Sequence, residues 1–375
     1  VPNLRFPEFK GEWEEERLSD IADLYKGTGI SKDQLSDEGE PCILYGELYT
    51  KYKSETIEKV ISKTNIENTK LVRSKANDVI IPCSGETAED IATARCVLND
   101  NILLGGDLNI IRLRGYDGIF MSYQLNGKRK YDIAKVAQGV SVVHLYGEHL
   151  KGVKTVNPCL EEQKKIASLL ALLDERIATQ NKIIEDLKKL KSAISKKLLC
   201  NDKWTTYKIQ DIAEIGRGRV ISSVEIDRQK HPLYPVYSSQ TSNDGIMGYL
   251  DSYMFDGEYI TWTTDGANAG TVFYRKGKFN CTNVCGTLKI QPKFDCYFVS
   301  LVLQQATQKY VSSNLANPKL MNNTMASIKI RMPNIETQKQ LSKVFQTLDS
   351  CLLVHQRTCK MYLSEKQYLL CQMFI

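Results

Sequence analysis

The chain carries the same sequence plan twice, and this duplication constrains its fold more than any other feature. Residues Trp13–Ser31 align without a gap on Trp204–Ser222, with seven of the 19 positions identical, where residue frequencies predict about one identity by chance. The block from Asn157 to Cys200 recurs from Met332 to Ile375 at an offset of 175 residues. A repeat of this length predicts two tandem copies of one structural plan rather than a single core.

Each copy opens at its tryptophan, continues through a mixed middle and ends in a helix behind a proline. The middles contain short β-prone runs broken by glycine turns, with a few helical stretches between them. We therefore expect an α+β fold with two mixed α/β globules in tandem. Short helices are predicted at Leu18–Tyr25 and Asp295–Thr307, and the β-prone runs of the second copy are Tyr249–Phe255, Tyr259–Thr263, Thr271–Tyr274 and Thr287–Ile290.

A heptad pattern of apolar residues ends each copy. It extends over 33 residues in the same phase both times, which predicts two helices of roughly 60 Å that each carry a coiled-coil seam. Gln180 and Lys191 fill polar positions of the first seam, as His355 and Lys366 do in the second. The apolar seam residues are Ile166, Leu170, Leu173, Ile177, Ile184, Leu187, Ile194 and Leu198 in the first helix, and Leu341, Phe345, Leu348, Leu352, Cys359, Tyr362, Leu369 and Met373 in the second.

The natural partner of each long helix is the other one, because neither copy has enough mass to cover a stripe of this length. The alternative, in which each helix packs on its own globule, stays open. A middle of about 130 residues separates the helices, so the chain can return to the far end of the first helix. We therefore predict an antiparallel coiled coil with a pseudo-two-fold, in which Gln180 lies at the level of Lys366 and Lys191 at the level of His355.

The composition is that of an ordinary soluble protein. Of its 375 residues 42% are hydrophobic and 25% are charged, no apolar run approaches the roughly 18 residues that cross a bilayer, and no basic-then-apolar leader opens the chain. Its 11 cysteines follow no regular framework, which favours free thiols in a reducing compartment. We therefore expect a cytoplasmic protein without disulfides and without a membrane partner.

The net charge is a weak indicator of the partner. The chain carries a formal charge of +6, but its first 159 residues hold 21 basic and 24 acidic residues, a net charge of −3. Gross charge therefore gives little support to nucleic-acid binding, although a local basic groove is compatible with it.

No known catalytic motif stands out in the sequence. There is no Gly-x4-Gly-Lys-Ser/Thr or Gly-x-Gly-x-x-Gly loop, no His-Glu-x-x-His, no Gly-x-Ser-x-Gly, and no Asn/Asp-Pro-Pro-Tyr/Phe run of the kind that amino-methyltransferases use. Cys281, Cys285 and Cys296 would supply three zinc ligands, but no second close pair completes the set of four that a structural site takes. The sequence therefore predicts a chain that is non-catalytic by itself and binds no metal.

Polar turns are the remaining candidates for a binding surface. Tyr, Gln, Asn, Ser, Thr and Glu side chains form hydrogen bonds with base edges, and Lys and Arg hold phosphates. Similar turns occur on most β-rich domains, so composition alone leaves nucleic-acid contact open. The candidates are Lys26, Tyr45, Glu47, Tyr49, Lys51, Ser84, Glu86 and Thr87 in the first copy, and Arg217, Arg219, Tyr237, Ser238, Gln240, Thr241, Asn243, Thr263, Thr264, Asp265, Asn268 and Lys319 in the second.

Several of these blocks together resemble the specificity subunit of type I restriction–modification systems. They are the opening segment Leu4–Ala22, its repeat at Trp204, the segment Tyr234–Gly266, and the Pro-x-x-Glu-x-Gln motif at Pro158–Gln163 and again at Pro333–Gln338. The resemblance covers essentially the whole chain in order. The second long helix is poorer in basic residues than the first, and Val1 in place of a methionine suggests that the numbering omits a short start.

The resemblance implies a division of labour between domains and between subunits. It implies target recognition domains at 1–157 and 201–332, each reading one half of an asymmetric bipartite site on double-stranded DNA, and spacer helices at 158–200 and 333–375. Two modification (methyltransferase) subunits and the restriction (translocase and endonuclease) subunits would carry out methylation and cleavage. S-adenosylmethionine, ATP and Mg²⁺ would then belong to those partners, with no cofactor in this chain, in a bacterial or archaeal cytoplasm.

Two other classes of function remain as alternatives. One is a nuclease or base-modifying enzyme with an unrecognised active site around Thr263-Thr264-Asp265 or Ser84-Gly85-Glu86. The other is a protein-binding scaffold that never touches DNA. Turnover by the purified chain would favour the enzyme, and salt-dependent binding to a duplex would exclude the scaffold.

Overall fold

The computed structural model describes residues 2–66, 70–139, 142–199, 201–312 and 317–375. The chain forms two compact units. Unit 1 comprises Val1–Lys182 and Gln356–Ile375, and unit 2 comprises Ile183–His355. Cys200, the last residue of the first predicted spacer helix, lies outside the described residues. Within the described ranges no helix is long and apolar enough to cross a membrane.

Unit 1 contains two larger sheets, with the strand orders β2-β12-β8-β10-β5 and β3-β6-β4-β11-β7, and the small pairs β1-β14 and β13-β9. The pairing is mixed, since β10 runs parallel to β5 and antiparallel to β8. Its strands are β1 Glu14–Arg17, β2 Ala22–Lys26, β3 Leu35–Ser36, β4 Glu40–Ile43, β5 Thr56–Ile57, β6 Ser62–Thr64, β7 Val72–Arg73, β8 Asp78–Pro82, β9 Ser84–Gly85, β10 Arg95–Val97, β11 Leu103–Leu104, β12 Leu108–Leu113, β13 Val143–His144 and β14 Lys154–Asn157.

Most of the short helices of unit 1 pack on one face of its first sheet. They are α1 Leu18–Ile21, α2 Glu47–Thr50, α3 Ala88–Ile91, α4 Gly118–Asn126, α5 Lys130–Val136 and α6 Gly147–Lys151, with a 3-10 turn at Lys32–Gln34. The central strand β8 is buried on both sides: Ile81 packs in one apolar cluster with Met121, and Ile80 packs in another with Ile43 and Leu104. A strand buried on both faces reads as a continuous apolar run, as Val-Ile-Ile does here.

Unit 2 repeats this plan with fewer strands. Its sheets have the orders β16-β22-β19-β20, β18-β17-β21 and β15-β23. The strands are β15 Thr205–Lys208, β16 Ala213–Arg217, β17 Tyr234–Tyr237, β18 Ile246–Leu250, β19 Glu258–Thr263, β20 Val272–Lys276, β21 Asn280–Cys281, β22 Cys285–Ile290 and β23 Lys329–Met332. The long helices, of which each unit holds a part, are α7 Leu160–Leu198 and α12 Ile335–Gln372. The shorter helices of unit 2 are α8 Ile209–Ile212, α9 Ser223–Asp227, α10 Cys296–Ala306 and α11 Asn322–Ser327, with a 3-10 turn at Thr307–Tyr310.

The core of unit 2 is centred on Trp262 of β19. Its side chain is fully buried against Leu288 and Phe298, and its indole Nε1 donates a hydrogen bond to the carbonyl of Leu320 at 2.9 Å. The ring lies over Gly286, where an added Cβ would stand 2.2 Å from a ring atom. Only a residue without a side chain fits at that position of β22.

The tryptophan that opens each copy packs in the same way in both. Trp13 meets Phe120 edge-on at 6.0 Å, and Trp204 meets Phe298 edge-on at 5.9 Å. The strand that follows each tryptophan pairs antiparallel with the strand that precedes the long helix, β1 with β14 and β15 with β23. The opening segment thus closes each unit onto the base of its own long helix.

The Pro-x-x-Glu-x-Gln motif has an identical role in the two units. The Gln163 side chain donates to the carbonyl of Pro158 at 2.8 Å and accepts from the backbone N–H of Asp117 at 3.0 Å. Gln338 forms the equivalent bonds, at 2.8 and 3.0 Å, with Pro333 and Asp295. Because these aspartates cap α4 and α10, the glutamine joins the start of a long helix to the start of a core helix.

Two contacts in unit 1 confirm the prediction that the long helices pair antiparallel, and one ion pair in unit 2 joins the same two helices. In unit 1 the amine of Lys366 bonds Asp174 at 2.6 Å, and seven residues further along α7 the thiol of Cys359 approaches Asn181 at 3.5 Å. In unit 2 Lys191 pairs with Asp349. Position numbers rise along one helix as they fall along the other, which defines the antiparallel direction.

The predicted levels of the polar seam residues were wrong. Lys366 lies level with Asp174 rather than with Gln180, and Lys191 lies level with Asp349 rather than with His355. Since Asp174 and Gln180 are six residues apart, the error is about 9 Å along the helix. Each lysine pairs with an aspartate that flanks the apolar seam. The prediction instead paired the polar seam positions with each other.

The apolar seam residues pack against the globular part of their unit in addition to the partner helix. Ile166 and Leu170 pack with Met373 of α12 and also with Phe120 and Tyr123 of α4. Fifteen of the predicted seam residues are buried or half-buried. Leu198 is exposed, with 37% of its surface accessible, and Leu199 is buried in its place with 5%, because α7 ends at Leu198 and Leu199 packs into the core of unit 2.

Two predicted elements differ from the structure. The stretch Leu18–Tyr25 forms a helix only to Ile21, and from Ala22 it is strand β2, paired with β12. The run Tyr249–Phe255 is a strand only at its first two residues, which end β18. The predicted helix from Asp295 is present as α10, with the Asp295 carboxylate accepting from the N–H of Phe298 at 2.8 Å.

Candidate nucleic-acid interface

A groove in unit 1 brings together four of the residues predicted from the sequence. It has a volume of about 730 Å³, and its walls include Tyr45, Tyr49, Ser84 and Glu86. The Tyr49 hydroxyl donates to the carbonyl of Ser84 at 3.0 Å and so ties one wall to the other. Burial raises the pKa of this phenol, which keeps Tyr49 a hydrogen-bond donor.

Two further predicted residues hold the loop beside this groove. Glu47 is buried, with 5% of its surface exposed. Its carboxylate accepts from the backbone N–H of Leu44 at 3.0 Å and from the Lys51 amine at 2.6 Å. The side chains of Glu47 and Lys51 are therefore engaged within unit 1, and Ser62 shares their contact.

The remaining candidates of unit 1 lie at the margin of the groove or away from it. Thr87 caps α3, because its hydroxyl oxygen accepts from the N–H of Asp90 at 3.0 Å. Lys26 lies 3.7 Å from Asp107 and lines a smaller cavity of about 240 Å³ together with Asn109 and Tyr146.

Arg95, the first residue of β10, lines the groove although the sequence did not single it out. Its Nη1 donates to the carbonyl of Ala94 at 2.8 Å and its Nε to that of Tyr52 at 3.3 Å. Burial lowers the pKa of Arg95, but a guanidinium remains charged in a protein. The signal available in the sequence was a cationic residue in a short, otherwise apolar strand.

A rigid turn in unit 2 carries the candidates that follow β17. Three consecutive residues, Asn243, Asp244 and Gly245, have φ angles of +49, +54 and +81°, a left-handed conformation that costs an ordinary residue roughly 1–2 kcal/mol. The turn is closed by the Ser238 N–H, which donates to the carbonyl of Gly245 at 2.9 Å, and by Gln240, which donates to the carbonyl of Ile246. Thr241 and Asn243 project into solvent from this turn.

The turn rests on Arg275 of β20, a second residue that the sequence analysis missed. Only 4% of its side chain is exposed. It donates to the carboxylate and to the carbonyl of Asp244, both at 2.8 Å, and its guanidinium stacks on Tyr237 at 3.6 Å and on Phe273 at 4.4 Å from the ring centres. A buried arginine at an inward position of β20 thus fixes the shape of an exposed loop.

The Thr263–Asn268 cluster is a braced turn. Thr263 and Thr264 are buried, and the Thr263 hydroxyl accepts from the N–H of Thr271 at 3.1 Å. The hydroxyl of Thr264 donates to Asp265 at 3.0 Å, and Asp265 lies 3.9 Å from the Lys319 amine. Of the predicted residues in this turn, Asn268 is exposed.

The two predicted arginines of β16 and the loop after it are exposed and partnered. Arg217 approaches the Met321 sulfur at 3.8 Å, and Arg219 forms a two-point contact with Glu225, one of whose bonds is 2.9 Å long. Both arginines reach solvent, and Glu225 holds Arg219 in the two-point geometry that makes an exposed pair stronger than most.

The described residues hold no group of three histidine, cysteine, aspartate or glutamate side chains placed to bind a metal ion. Among the described residues, the contacts between a hydroxyl and a base at the two alternative sites are Ser84 Oγ to His144 Nδ1 at 3.3 Å and Thr264 Oγ1 to Asp265 at 3.0 Å, and Thr264 is fully buried.

The family model for the type I restriction modification DNA specificity domain matches the chain twice, over residues 10–189 and 201–360. A putative type I specificity subunit of Mycoplasma pneumoniae is 40% identical over 190 residues, which are 50% of this chain and 79% of that protein. The specificity subunit of the type I restriction enzyme MpnII from the same organism is 43% identical over 145 residues, or 38% of this chain and 43% of its own length.

Solved structures of type I systems share the fold. The S subunit from M. genitalium matches with a TM-score of 0.76 at 18% identity, covering 100% of this chain and 99% of its own. A chain from a study of complex assembly and conformational transition in a type I restriction–modification system matches with a TM-score of 0.53 at 12% identity, covering 97% of each chain.

Proposed function

The chain belongs to the type I restriction–modification DNA specificity family, and from this premise we propose that it reads an asymmetric, bipartite DNA site with one half-site for each unit. The observation that carries the proposal is the double match of the family model, once on each copy of the duplicated plan. The bonds of the framework recur in both units, whereas the exposed loops differ in sequence and structure. Two different readers on two equivalent frameworks suit two different half-sites.

The reading surfaces in this proposal are the groove of unit 1 and the turn of unit 2. The groove offers tyrosine hydroxyls and the Glu86 carboxylate, and the turn offers Thr241 and Asn243, side chains that form hydrogen bonds with base edges. Lys26, Arg217 and Arg219 are the proposed phosphate contacts, since each is an exposed cation.

Methyl transfer and cleavage belong, in this proposal, to separate subunits that bring S-adenosylmethionine, ATP and Mg²⁺. The support is that the relatives are specificity subunits and that one structural neighbour comes from work on complex assembly of a type I system. Two modification subunits would dock on the equivalent frameworks of the two copies, and restriction subunits would join them.

An exchange of one reader tests the bipartite proposal. Residues 201–332 are replaced by the equivalent segment of another specificity subunit, and the methylated motif is determined for the chain assembled with its modification subunits. We expect one half-site to change and the other to persist. A change in both half-sites would contradict the assignment of one unit to each half-site.

The division of labour has its own test. The purified chain is incubated with duplex DNA and S-adenosylmethionine, and separately with ATP and Mg²⁺. We expect no methylation or cleavage until the partner subunits are added. Turnover by the chain alone would overturn this part of the proposal and would favour an enzyme.

The separation of the half-sites is proposed to depend on the paired helices. Recognition on one face of a duplex places half-sites about 34–36 Å apart, or at a multiple of this distance. Inserting seven residues, one heptad, in both α7 and α12 should lengthen the unread gap in the methylated motif and leave both half-sites unaltered. An unchanged gap would contradict the role of the helices as a ruler.

A further inference from the structure

Arg95 has hydrogen-bonding capacity that the described structure leaves unused. A guanidinium has five N–H donors, and the two bonds that Arg95 makes go to the neutral carbonyls of Ala94 and Tyr52. None of its nitrogens is among the buried atoms that lack a partner, and the side chain lines the groove of unit 1. The unpaired N–H groups therefore face the groove and its solvent.

The carboxylates nearest to Arg95 serve other groups. Glu55 lies beside β10, since its carbonyl accepts from the N–H of Cys96 at 2.8 Å, but its carboxylate bonds the Lys366 amine at 2.7 Å. Asp174 is held by the same lysine at 2.6 Å. Among the described residues Arg95 forms no ion pair within 4 Å, and the charges of Glu55 and Asp174 act on it only from a greater distance.

The groove in front of Arg95 is mixed in charge. Glu86 and Asp90 line it together with Arg95 and Lys53. Carboxylates repel a phosphate, so a backbone contact is disfavoured here. The edge of a base pair suits this surface, because guanine presents the acceptors O6 and N7 while the cytosine paired with it presents an amino donor.

We propose that Arg95 reads a guanine in the half-site of unit 1 by a two-point hydrogen bond to O6 and N7, and that Glu86 accepts from a cytosine amino group in the same half-site. This inference rests on the proposed function. It assigns a G·C pair to the groove and makes Arg95 and Glu86 determinants of specificity in unit 1.

The test uses the full chain assembled with its modification subunits and measures methylation and binding on duplexes with one randomised position at a time. We expect Arg95→Gln to lower discrimination for G·C at one position by roughly 5- to 150-fold, with the half-site of unit 2 unchanged. Arg95→Lys retains the charge without the fork and should lose most of the same discrimination. Glu86→Gln should relax preference in the same half-site.

Arg73→Gln is the matched control. It removes the same charge from unit 1, from an exposed side chain that bonds Glu40 outside the groove, and it should leave every position of the motif unchanged. Recognition of the half-site of unit 2 and the melting temperature report the folding of each variant. If Arg95→Gln fails to fold, Arg95→Lys decides the question.

Three results would overturn the inference. An unchanged motif with Arg95→Lys would exclude base reading by this arginine. A uniform loss of affinity on all sequences, with a shallower dependence on salt, would identify a phosphate contact instead. Equal loss with Arg73→Gln would indicate a general charge effect. A parent chain without any sequence preference would instead refute the proposed function, so the two failures are distinguishable.

Discussion

Replacing Lys366 by alanine should destabilise unit 1 by about 3–5 kcal/mol, the usual cost of removing one partner from a buried ionic cluster. The amine lies 2.7 Å from Glu55 and 2.6 Å from Asp174, and the lysine and both carboxylates are 11–13% exposed. Without the amine, the two carboxylates face each other, and among the described residues the hydroxyl of Tyr123 still donates to Asp174 at 2.6 Å.

The duplication supplies a matched control at the equivalent position of the other helix. Lys191 bonds Asp349, whose second oxygen accepts from Tyr297 at 2.5 Å, just as Asp174 accepts from Tyr123. Here the lysine is 26% and the aspartate 40% exposed. Water therefore replaces the lost amine, and Lys191→Ala should cost about 1 kcal/mol or less.

The penalty of Lys366→Ala should grow with pH. Burial already raises the pKa of Glu55, while Lys366 lowers it, so loss of the amine raises the folded pKa further. In the unfolded chain Glu55 titrates near its ordinary value of 4.5. A carboxyl group whose pKa is higher in the folded state than in the unfolded chain makes folding less favourable as the pH rises above the unfolded value. The free energy of unfolding of the variant should therefore be closer to that of the parent at pH 5 than at pH 8.

Urea unfolding followed by circular dichroism measures the total loss. Because two units need not unfold together, hydrogen exchange is measured in parallel and should locate the opening of the Lys366 variant in Gln356–Ile375 and around Glu55. A Lys191→Ala penalty equal to that of Lys366→Ala, or a penalty of Lys366→Ala that shrinks from pH 5 to pH 8, would refute the reasoning.

Four other substitutions follow from contacts within single units. Gln163→Ala and Gln338→Ala should each cost about 1–3 kcal/mol, because each leaves a partly buried backbone N–H and a carbonyl unpaired; a lower urea midpoint for one but not the other would contradict their equivalence. Arg275→Met should degrade recognition of one half-site while the methylated bases of the other persist, since the exposed turn loses its clamp; an unaltered motif would contradict this. Gly286→Ala should cost about 1–3 kcal/mol by overpacking against Trp262, seen as a lower melting temperature, and an unchanged melt would show that the ring can move.

The parts of the fold that follow a period were predictable from the sequence. A heptad repeat shows which face of a helix is apolar, and both long helices were predictable from it. It does not report which level of one helix meets which level of the other. The register depends on Asp174 and Asp349, which flank the seam and recur at an offset of 175 after a leucine. The recurrence of this Leu-Asp pair was the sequence signal for the register of the two helices. The polar seam positions alone do not contain it.

The candidate site was harder to predict because a polar side chain does not reveal whether it faces water or its own backbone. Glu47 and Lys51 have the composition of a binding loop, yet they are engaged with each other. Arg95 and Arg275 stand in short strands that read as core, yet one lines a groove and the other holds an exposed turn. Such assignments depend on contacts between residues far apart in the chain.

The bonds between the long helices and the predicted recognition domains determine what an exchange of readers removes. The bonds of Gln163 and Gln338 join prolines to helix caps and involve no reading loop. Lys366, however, also bonds Glu55, which lies in the first predicted recognition domain. Lys191 forms no second carboxylate pair among the described residues, with Asp349 as its ion-pair partner.

An exchange of residues 1–157 therefore removes one carboxylate from the cluster at Lys366. The lysine then keeps Asp174 alone, which is the arrangement that unit 2 already uses at Lys191. Removing a carboxylate from a cluster of two carboxylates and one amine relieves repulsion between like charges, whereas removing the amine increases it. A reader without an acid at position 55 should thus be accepted by the framework, and Glu55→Gln should cost far less stability than Lys366→Ala.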